Sequence, residues 1–345
     1  MDSTFALMVV VIVAALIFDF LNGFHDAANA IATIVVTRTL TPLQAAILAG
    51  FANFIGYFTF GVTIAKTIGK GVVQIESITL TILLAALLGA VVWNVVTWLL
   101  GLPTSSSHAL IGGLLGSAVA SAGFKVVVLH GVLKILVFIL LAPLLGMIGP
   151  LVFTTFVILL CRRVHPARAN RIFKRLQLLS ATSYSVGHGT NDAQKTMGII
   201  ALALLSGGVN DSFHLDGWVV LSCYTAIGLG TAFGGWRIVK TMGTQITKIQ
   251  PMEGFCAETS AALVLLGTAH AGIPVSTTHV IAGSIMGVGV VEDVAKVRWV
   301  TARRIVWAWI LTIPLTSACS ALSYFLVAGI QRLFLPFARC ESTVP

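Results

Sequence analysis

Residues 23–29 read GFHDAAN and residues 189–195 read GTNDAQK, so a motif built around an aspartate recurs 166 residues later. A second pair follows, with PTSSSH at residues 103–108 and PVSTTH at residues 274–279. Both pairs place carboxylate, amide, hydroxyl and imidazole groups in a sequence dominated by Val, Leu, Ile and Ala. Because polar groups are costly where water is scarce, two matched sets indicate a binding site rather than packing alone.

The composition is that of a membrane protein, with 57% hydrophobic residues, 10% charged residues and a mean hydropathy of +0.98. Soluble domains carry about 25% charged residues, so a soluble globular protein is excluded. Apolar runs that could cross a bilayer recur along the chain at Phe5–Leu21, Leu43–Ala65, Leu80–Leu100, Val126–Cys161, Gly217–Phe233, Ala257–Gly267 and Ile305–Ile330. We therefore predict an all-α polytopic membrane protein whose duplicated polar motifs form the site of a transporter.

The duplication extends beyond the two motif pairs. Lys66–Gly69 returns as Lys240–Gly243, and Pro143 returns as Pro314. Four landmarks in the same order predict two homologous halves. The predicted units are a first transmembrane repeat at 1–160, a basic cytoplasmic linker at 161–175, a second repeat at 176–335 and a C-terminal tail at 336–345.

The number of crossings in each half stays open at this point. Leu80–Leu100 and the run at 108–121 form either a re-entrant hairpin or one crossing followed by a re-entrant loop. Val126–Cys161 is either one long kinked helix or two crossings. A re-entrant hairpin combined with one kinked helix gives three crossings per half, and the opposite choice in both regions gives five. Both numbers are odd, so the two halves would be inverted relative to each other. Mixed choices give four crossings and parallel halves. We expect two inverted-topology repeats with re-entrant helical hairpins or broken helices.

The net charge of +9 is concentrated in the basic linker at 161–175, which carries six Lys and Arg residues and no acidic residue. By the positive-inside rule this short segment is expected in the cytoplasm, which places the chain in the inner (plasma) membrane. A single aromatic residue, Phe173, lies among these cations, and one ring does not make the alternating pattern of a nucleic-acid site, so we expect membrane lipids and no nucleic acid as partners. A homodimer stays open.

Asp26 and Asp192 are the strongest candidates for the site. A carboxylate at membrane depth must face a cavity, a cation or a donor, and the alternative is a structural aspartate that caps a broken helix. Two carboxylates repel a phosphate, so their natural role is to bind a coupling cation, either H⁺ or Na⁺. Asn29 and Asn191 could contact the cation or the anion. Lys195 could pair with Asp192, meet the anion or extend to the membrane surface.

The hydroxyl triplets suit an oxyanion. A proline followed by three hydroxyl residues favours a helix start, where free backbone N–H groups and the positive end of the helix dipole attract anions. Ordinary capping is the alternative, and the matched positions favour ligand binding. The candidate anion ligands are Ser105, Ser106, Ser107, Ser276, Thr277 and Thr278, with Asn29, Asn191, Gln194 and Lys195 beside them.

Four further ionisable residues could relay protons or orient the site. His108 and His279 end the two hydroxyl triplets at matched positions, whereas His25 adjoins Asp26 without a matched histidine. Glu258 lies in an apolar stretch after a turn-like segment at 251–254, so it belongs either to the site or to a helix entrance.

Four stretches of the sequence resemble the duplicated signatures of the inorganic phosphate transporter family, PiT. They are GFHDAANAIAT at 23–33, GLPTSSSHALIGG at 101–113, GHGTNDAQKTMGIIALAL at 187–204 and GIPVSTTHVIAGSIMG at 272–287. The resemblance spans about residues 15–335. It implies secondary active uptake of inorganic phosphate through inverted repeats and alternating access, with H⁺ or Na⁺ as the coupling ion and neither enzymatic activity nor a cofactor.

The same resemblance implies roles for individual residues. Asp26, Asn29, Asn191 and Asp192 would form the coordinating core, with the two aspartates as Na⁺ ligands if sodium is the coupling ion. The hydroxyl triplets would bind the anion. His25 stands where eukaryotic members carry Asn, which makes the chain look more like bacterial low-affinity carriers that use protons and take up phosphate as a complex with a divalent metal. Transport of another oxyanion such as sulfate, or a passive anion channel, is the alternative.

Overall fold

The computed structural model describes residues 3–58, 64–65 and 71–334. Within these residues the chain is almost entirely helical, and its β-structure is an isolated antiparallel bridge between Val73 and Val127. The predicted all-α class is confirmed. The landmark Lys66–Gly69 and the predicted tail at 336–345 lie outside the described residues.

The helices follow the apolar runs of the sequence, and prolines occupy the first turn where an N–H group would have no partner. In chain order they are α1 Ser3–Val36, α2 Pro42–Ile55, α3 Leu80–Leu99, α4 Ser106–Ala122, α5 Leu129–Cys161, α6 Pro166–Ser206, α7 Gly217–Phe233, α8 Trp236–Lys240, α9 Pro251–His270, α10 Thr277–Glu292 and α11 Trp299–Phe334. Helix α8 continues into a single π-helical turn at Thr241–Gln245.

Four helices in the described part of the chain are long and apolar enough to cross a membrane, namely α1, α3, α5 and α11. A fifth crossing results if α7 and the segment Trp236–Gln245, which bend by 60° at their junction, act as one span. Large apolar side chains such as Leu140 and Val152 cover the outer face of α5. A surface of this kind is suited to lipid rather than to water.

Helix α5 settles one of the open alternatives, because Leu129–Cys161 is a single helix that contains both Pro143 and Pro150. Its counterpart α11 contains Pro314. Within the predicted basic linker at 161–175, residues 162–165 separate α5 from α6. Residues 166–175 instead form the first turns of α6, because Pro166 and the good helix formers that follow it start a helix.

Two helical hairpins, α3–α4 and α9–α10, come from different halves of the chain and exchange partners. Helix α4 packs on α11, where the Ser317 hydroxyl donates to the Gly112 carbonyl at 2.8 Å. Helix α10 packs on α5, where the Ser284 hydroxyl donates to the Gly146 carbonyl at 2.9 Å. Each hairpin therefore packs on a long helix from the other half of the chain.

Helices α1 and α6 lie at the centre of the molecule, where α1 packs on α6 and α7, and α6 packs on α2 and α9. Residues 25–34 of α1 and 187–204 of α6 are buried throughout. The two aspartate motifs are therefore carried by the most enclosed segments of the protein.

Candidate functional site

The two aspartate motifs lie inside unbroken helices. Asp26 belongs to α1 and Asp192 to α6, and both helices continue for several turns on either side. The alternative that these carboxylates cap a broken helix is therefore wrong. The two residues are 1% and 0% exposed. Side chains three residues apart share a helix face, so Asn29 lies beside Asp26 and Lys195 beside Asp192.

The hydroxyl triplets start helices, as the sequence predicts. Helices α4 and α10 begin directly after Ser105 and Ser276, whose backbones are extended. Ser105 Oγ accepts a hydrogen bond from the His108 N–H at 3.3 Å, and Ser276 Oγ accepts one from the His279 N–H at 3.2 Å. Each hairpin tip therefore has a capped helix start that directs the remaining N–H groups and the positive dipole end outward.

The tip of the second hairpin reaches the motif of the first half. Asn29 Nδ2 donates to Thr278 Oγ1 at 2.8 Å. The Thr278 hydroxyl in turn lies 3.4 Å from Asp26 Oδ1 and 3.3 Å from the Thr104 carbonyl of the first tip. One threonine thus connects α1 with both hairpins.

Lys195 connects the motif of the second half with both tips. Its ammonium donates to Asp192 Oδ1 at 2.5 Å, to Ser107 Oγ at 2.5 Å and to the Val275 carbonyl at 3.1 Å. Thr277 Oγ1 donates to the other Asp192 oxygen at 3.2 Å. Because Lys195 is only 2% exposed, the alternative that it extends to the membrane surface is wrong. A buried charge requires a partner, and Asp192 supplies it.

Asp26, His188 and Asp192 form a group of potential metal ligands, each offering one ligand atom within 4.8 Å of the others. His188 Nε2 lies 3.2 Å from Asp192 Oδ2, and His188 Nδ1 lies 3.2 Å from Asn53 Oδ1. Asn53 is held in turn by a 2.7 Å hydrogen bond to Thr231. Carboxylate oxygens with one imidazole nitrogen could bind a divalent cation, and Asn53 would orient the imidazole.

His25 takes part in a similar series of hydrogen bonds on the other side of Asp26. Its Nδ1 lies 2.9 Å from Asp26 Oδ1 and its Nε2 lies 3.1 Å from Thr97 Oγ1 of α3. An imidazole held between a carboxylate and a hydroxyl can transfer a proton at either nitrogen. His25 is therefore placed to exchange a proton with Asp26.

Several buried polar atoms at the first tip have no hydrogen-bond partner within the described chain. They include the hydroxyl oxygens of Thr104 and Ser106 and the His108 Nδ1 atom, and the Oδ2 atom of Asp26 on α1 is also unpartnered. Buried polar groups are almost always satisfied, so such a concentration marks a place where a polar ligand would complete the bonding. The two hydroxyls can donate to an oxyanion.

The two matched histidines meet each other. The rings of His108 and His279 lie edge to face with centroids 4.8 Å apart, and His279 stacks on Trp309 at 4.0 Å. Trp309 Nε1 donates to the Pro103 carbonyl at 2.9 Å. The histidines thus lie behind the tips, where they support the helix starts.

Asn191 and Gln194 face away from the tips. Asn191 Nδ2 donates to the Gly187 and Leu265 carbonyls at 2.9 and 3.0 Å. Gln194 Oε1 accepts a hydrogen bond from the Ile64 N–H at 2.9 Å. These contacts differ from the expectation that both amides bind the anion, because the turn of α6 that presents Asp192 and Lys195 to the tips directs its neighbours elsewhere.

Glu258 also differs from its predicted position. Helix α9 starts at Pro251, so the segment at 251–254 is helical and Glu258 lies two turns inside. Its carboxylate accepts hydrogen bonds from Thr33 at 2.5 Å, Gln177 at 3.0 Å and Ser180 at 2.5 Å. The residue therefore joins α1, α6 and α9, and these partners do not belong to the cluster at the tips.

We expect Glu258→Gln to lower the free energy of unfolding by about 1–3 kcal/mol, because an amide has one oxygen for three donors and turns its own NH₂ toward one of them. The melting temperature of the purified protein in detergent measures this effect. Glu76→Gln, at an exposed position, is the matched control. Equal melting temperatures for the two variants would contradict a structural role for Glu258.

Some residues of the network were missed by the sequence reasoning. Thr97 contacts His25, and Asp19 accepts a hydrogen bond from Thr196 at 2.9 Å inside the centre of the molecule. Asp19 carried a detectable signal, because it is the one carboxylate within the apolar run at 5–21. Thr97 carried none, since an isolated threonine in an apolar helix is common.

Comparison with known proteins gives consistent results. A family model described as "Phosphate transporter family" matches residues 22–320. A probable low-affinity inorganic phosphate transporter of Rhizobium meliloti is 51% identical over 328 residues, which cover 94% of this chain and 98% of that protein. A protein of the same description from Bacillus subtilis is 43% identical over 330 residues, covering 95% and 99%.

A solved structure titled "The sodium-dependent phosphate transporter" has the same fold. Its TM-score is 0.85, and the match covers 96% of this chain and 100% of that chain. The sequence identity is 24%, so this likeness establishes the fold and leaves the choice of coupling ion to the residues of the site.

Proposed function

Because this chain belongs to the phosphate transporter family, we propose that it takes up inorganic phosphate by symport with protons. The family members are transporters, so the chain is a multi-pass membrane transporter and not an enzyme. The observation that carries the proposal is the convergence of both hairpin tips and both aspartate motifs, with Lys195 bonded to Asp192, Ser107 and the Val275 carbonyl.

Phosphate would bind at the tips. The unpartnered hydroxyls of Thr104 and Ser106 and the free N–H groups of two helix starts form a set of donors for a tetrahedral oxyanion. Lys195 offers the positive charge nearest to them. Ser105 and Ser276 act as caps, so they would shape the site rather than bind the anion.

The charged groups beside the two aspartates support H⁺ rather than Na⁺ as the coupling ion. Lys195 already balances Asp192, so that carboxylate has less need of a mobile cation. Asp26 has His25 as its partner, and this pair can change its charge by taking up or releasing a proton. These two contacts favour H⁺ over Na⁺.

A second candidate is uptake of phosphate as its neutral complex with a divalent metal. The grouping of Asp26, His188 and Asp192 supports it, because two carboxylates and an imidazole match the ligands of such ions. In this case the metal would travel with phosphate as part of the cargo. Lys195 would compete with it for Asp192.

We further propose that the halves at 1–160 and 176–335 are inverted repeats, with the N-terminus outside and the segment at 161–175 in the cytoplasm. The mutual exchange of hairpins between α5 and α11 supports this arrangement, because each tip would approach the midplane from the opposite side. Alternating access would then expose the tips to one side at a time. Binding of a proton together with phosphate would reduce the net charge that has to cross the membrane.

Uptake of radiolabelled phosphate into proteoliposomes tests the proposal, with pH and Na⁺ gradients imposed separately and sulfate as competitor. We expect concentrative uptake that is driven by an inward H⁺ gradient and abolished by a protonophore. Uptake driven only by Na⁺ would contradict proton coupling, and uptake that never exceeds equilibrium would indicate a channel. Dependence on Mg²⁺ or Mn²⁺ would support the metal complex.

We expect His25→Asn to lower proton-driven uptake by about a hundredfold, the lower end of the contribution of a positioned proton-transfer group. Exchange of external for internal phosphate should persist, because exchange requires no net proton movement. His165→Asn, in the turn between α5 and α6, is the control. Equal losses of uptake and exchange would assign His25 to phosphate binding instead.

A further inference from the structure

A pocket of about 390 Å³ lies against the tip of the first hairpin. Its walls are the tip residues Leu99–Leu102, the segment from α8 through the π-helical turn, and the start of α11. The end of α8 and the π-helical turn together carry the repeated sequence at Lys240–Gly243, a landmark to which the phosphate site assigns no role. Such turns are frequent at functional sites, because they redirect the side chains of a helix.

The lining of this pocket is strongly basic. It contains Arg237, Lys240 and Arg304, together with the neutral donors Thr241 and Gln245, and no carboxylate. Within the described chain none of the three cations forms an ion pair. Three unpaired cations in one concavity attract a multivalent oxyanion, since guanidinium and ammonium groups match phosphate oxygens.

The pocket shares a wall with the phosphate site. Arg237 Nη1 donates to the Leu99 carbonyl at 2.9 Å, and Thr241 Oγ1 donates to the Gly101 carbonyl at 2.8 Å. Gly101 has a φ of +63°, and the chain turns there toward Thr104 and Ser106. The first hairpin tip therefore contributes both the unpartnered hydroxyls of Thr104 and Ser106 and one wall of the basic pocket.

The corresponding position at the second hairpin differs. A cavity of only about 30 Å³ lies beside Pro274, and its lining includes Lys134. Lys134 precedes Arg304 by 170 residues, one fewer than the 171 that separate Pro143 from Pro314 on the same two helices. Each hairpin tip thus has one basic residue near it, but the cavity beside Arg304 is much larger than the cavity beside Lys134.

We propose that the pocket lined by Arg237, Lys240 and Arg304 is a second anion site. Inorganic phosphate would bind there on its way between the first hairpin tip and the cytoplasm. The cytoplasmic placement rests on the proposed function. A lipid phosphate has the same chemistry, and the inorganic ion is favoured because the pocket wall is the tip that carries the substrate hydroxyls. An anion that draws Arg237 away from the Leu99 carbonyl would also loosen the tip.

Arg304→Gln tests the site, because Arg304 lines the pocket and forms no hydrogen bond that holds the tip. We expect the KM for phosphate to rise about threefold to tenfold at the cytoplasmic face, measured in inside-out membrane vesicles, the range expected for one lost charged contact. The KM at the opposite face, measured in right-side-out vesicles, should not change. Arg303→Gln removes the neighbouring exposed charge and should leave both values unchanged.

Equal KM changes at both faces, or none at either, in a protein that transports phosphate would overturn the second site alone. Absence of phosphate transport by the unaltered protein would overturn the proposed function together with it. Proteoliposomes of phosphatidylcholine, with and without phosphatidylglycerol, separate the two sources of phosphate. An effect of Arg304→Gln that requires phosphatidylglycerol would assign the pocket to a lipid headgroup and contradict the proposal, whereas an effect in phosphatidylcholine alone supports it.

Discussion

Asp192→Asn should abolish phosphate uptake, with a loss of at least about a hundredfold, because it leaves the Lys195 ammonium buried beside a neutral amide. Removing one partner of a buried ion pair costs about 3–5 kcal/mol, so the variant should also melt at a lower temperature. In this single variant, the lost uptake could therefore result either from the lower stability or from the missing carboxylate. Radiolabelled uptake in proteoliposomes and the melting temperature in detergent measure the two effects.

The double variant Asp192→Asn with Lys195→Gln separates them. Replacing both charges by amides removes the unpaired ammonium, so we expect the melting temperature to recover toward that of the unaltered protein. Uptake should remain absent, because neither the carboxylate nor the ammonium is present at the tips. Asp216→Asn, a partly exposed carboxylate in the connection before α7, is the control. Transport by a stable double variant would remove this ion pair from the mechanism.

Gly23→Ala should destabilise the protein more than any other conservative substitution in the first motif. A Cβ atom at this position would lie 2.2 Å from the Ile227 carbonyl oxygen, so α1 and α7 could not keep their present separation. Overpacking typically costs about 1–3 kcal/mol, and more when backbone has to move. We expect a lower melting temperature and reduced yield of folded protein.

Gly267→Ala is the matched control, because a Cβ atom there meets no other atom within 4 Å. Alanine favours a helix by about 1 kcal/mol over glycine, so this variant should be as stable as the unaltered protein or more so. Equal melting temperatures for the two variants would show that the contact between α1 and α7 is looser than the structure has it. The same reasoning applies to Gly189, whose Cβ atom would lie 2.4 Å from the Asn53 carbonyl oxygen.

Much of the candidate site could be predicted from the sequence, and the contacts that could not be predicted have a common origin. The hydroxyl triplets were correctly placed at helix starts, because proline and capping serines act within one turn of the chain. Asn191 and Gln194 belong to the second aspartate motif and Glu258 lies in an apolar stretch, so the sequence predicts all three as site residues. Each of them has a partner far away in the chain, at Leu265, Ile64 and Thr33 respectively, and no local pattern reports such contacts.

The sequence by itself determined the class of the protein, the recurrence of its polar motifs, the helix starts and the two aspartate motifs. Hydropathy, repetition and capping are local properties, so they can be read without the fold. Only the tertiary structure decided that α1 and α6 run unbroken through their motifs, that each hairpin packs on a long helix from the other half of the chain, and that Lys195 joins Asp192 to Ser107. These features depend on packing between distant segments, because a buried charge takes whichever partner the neighbouring helices bring within reach.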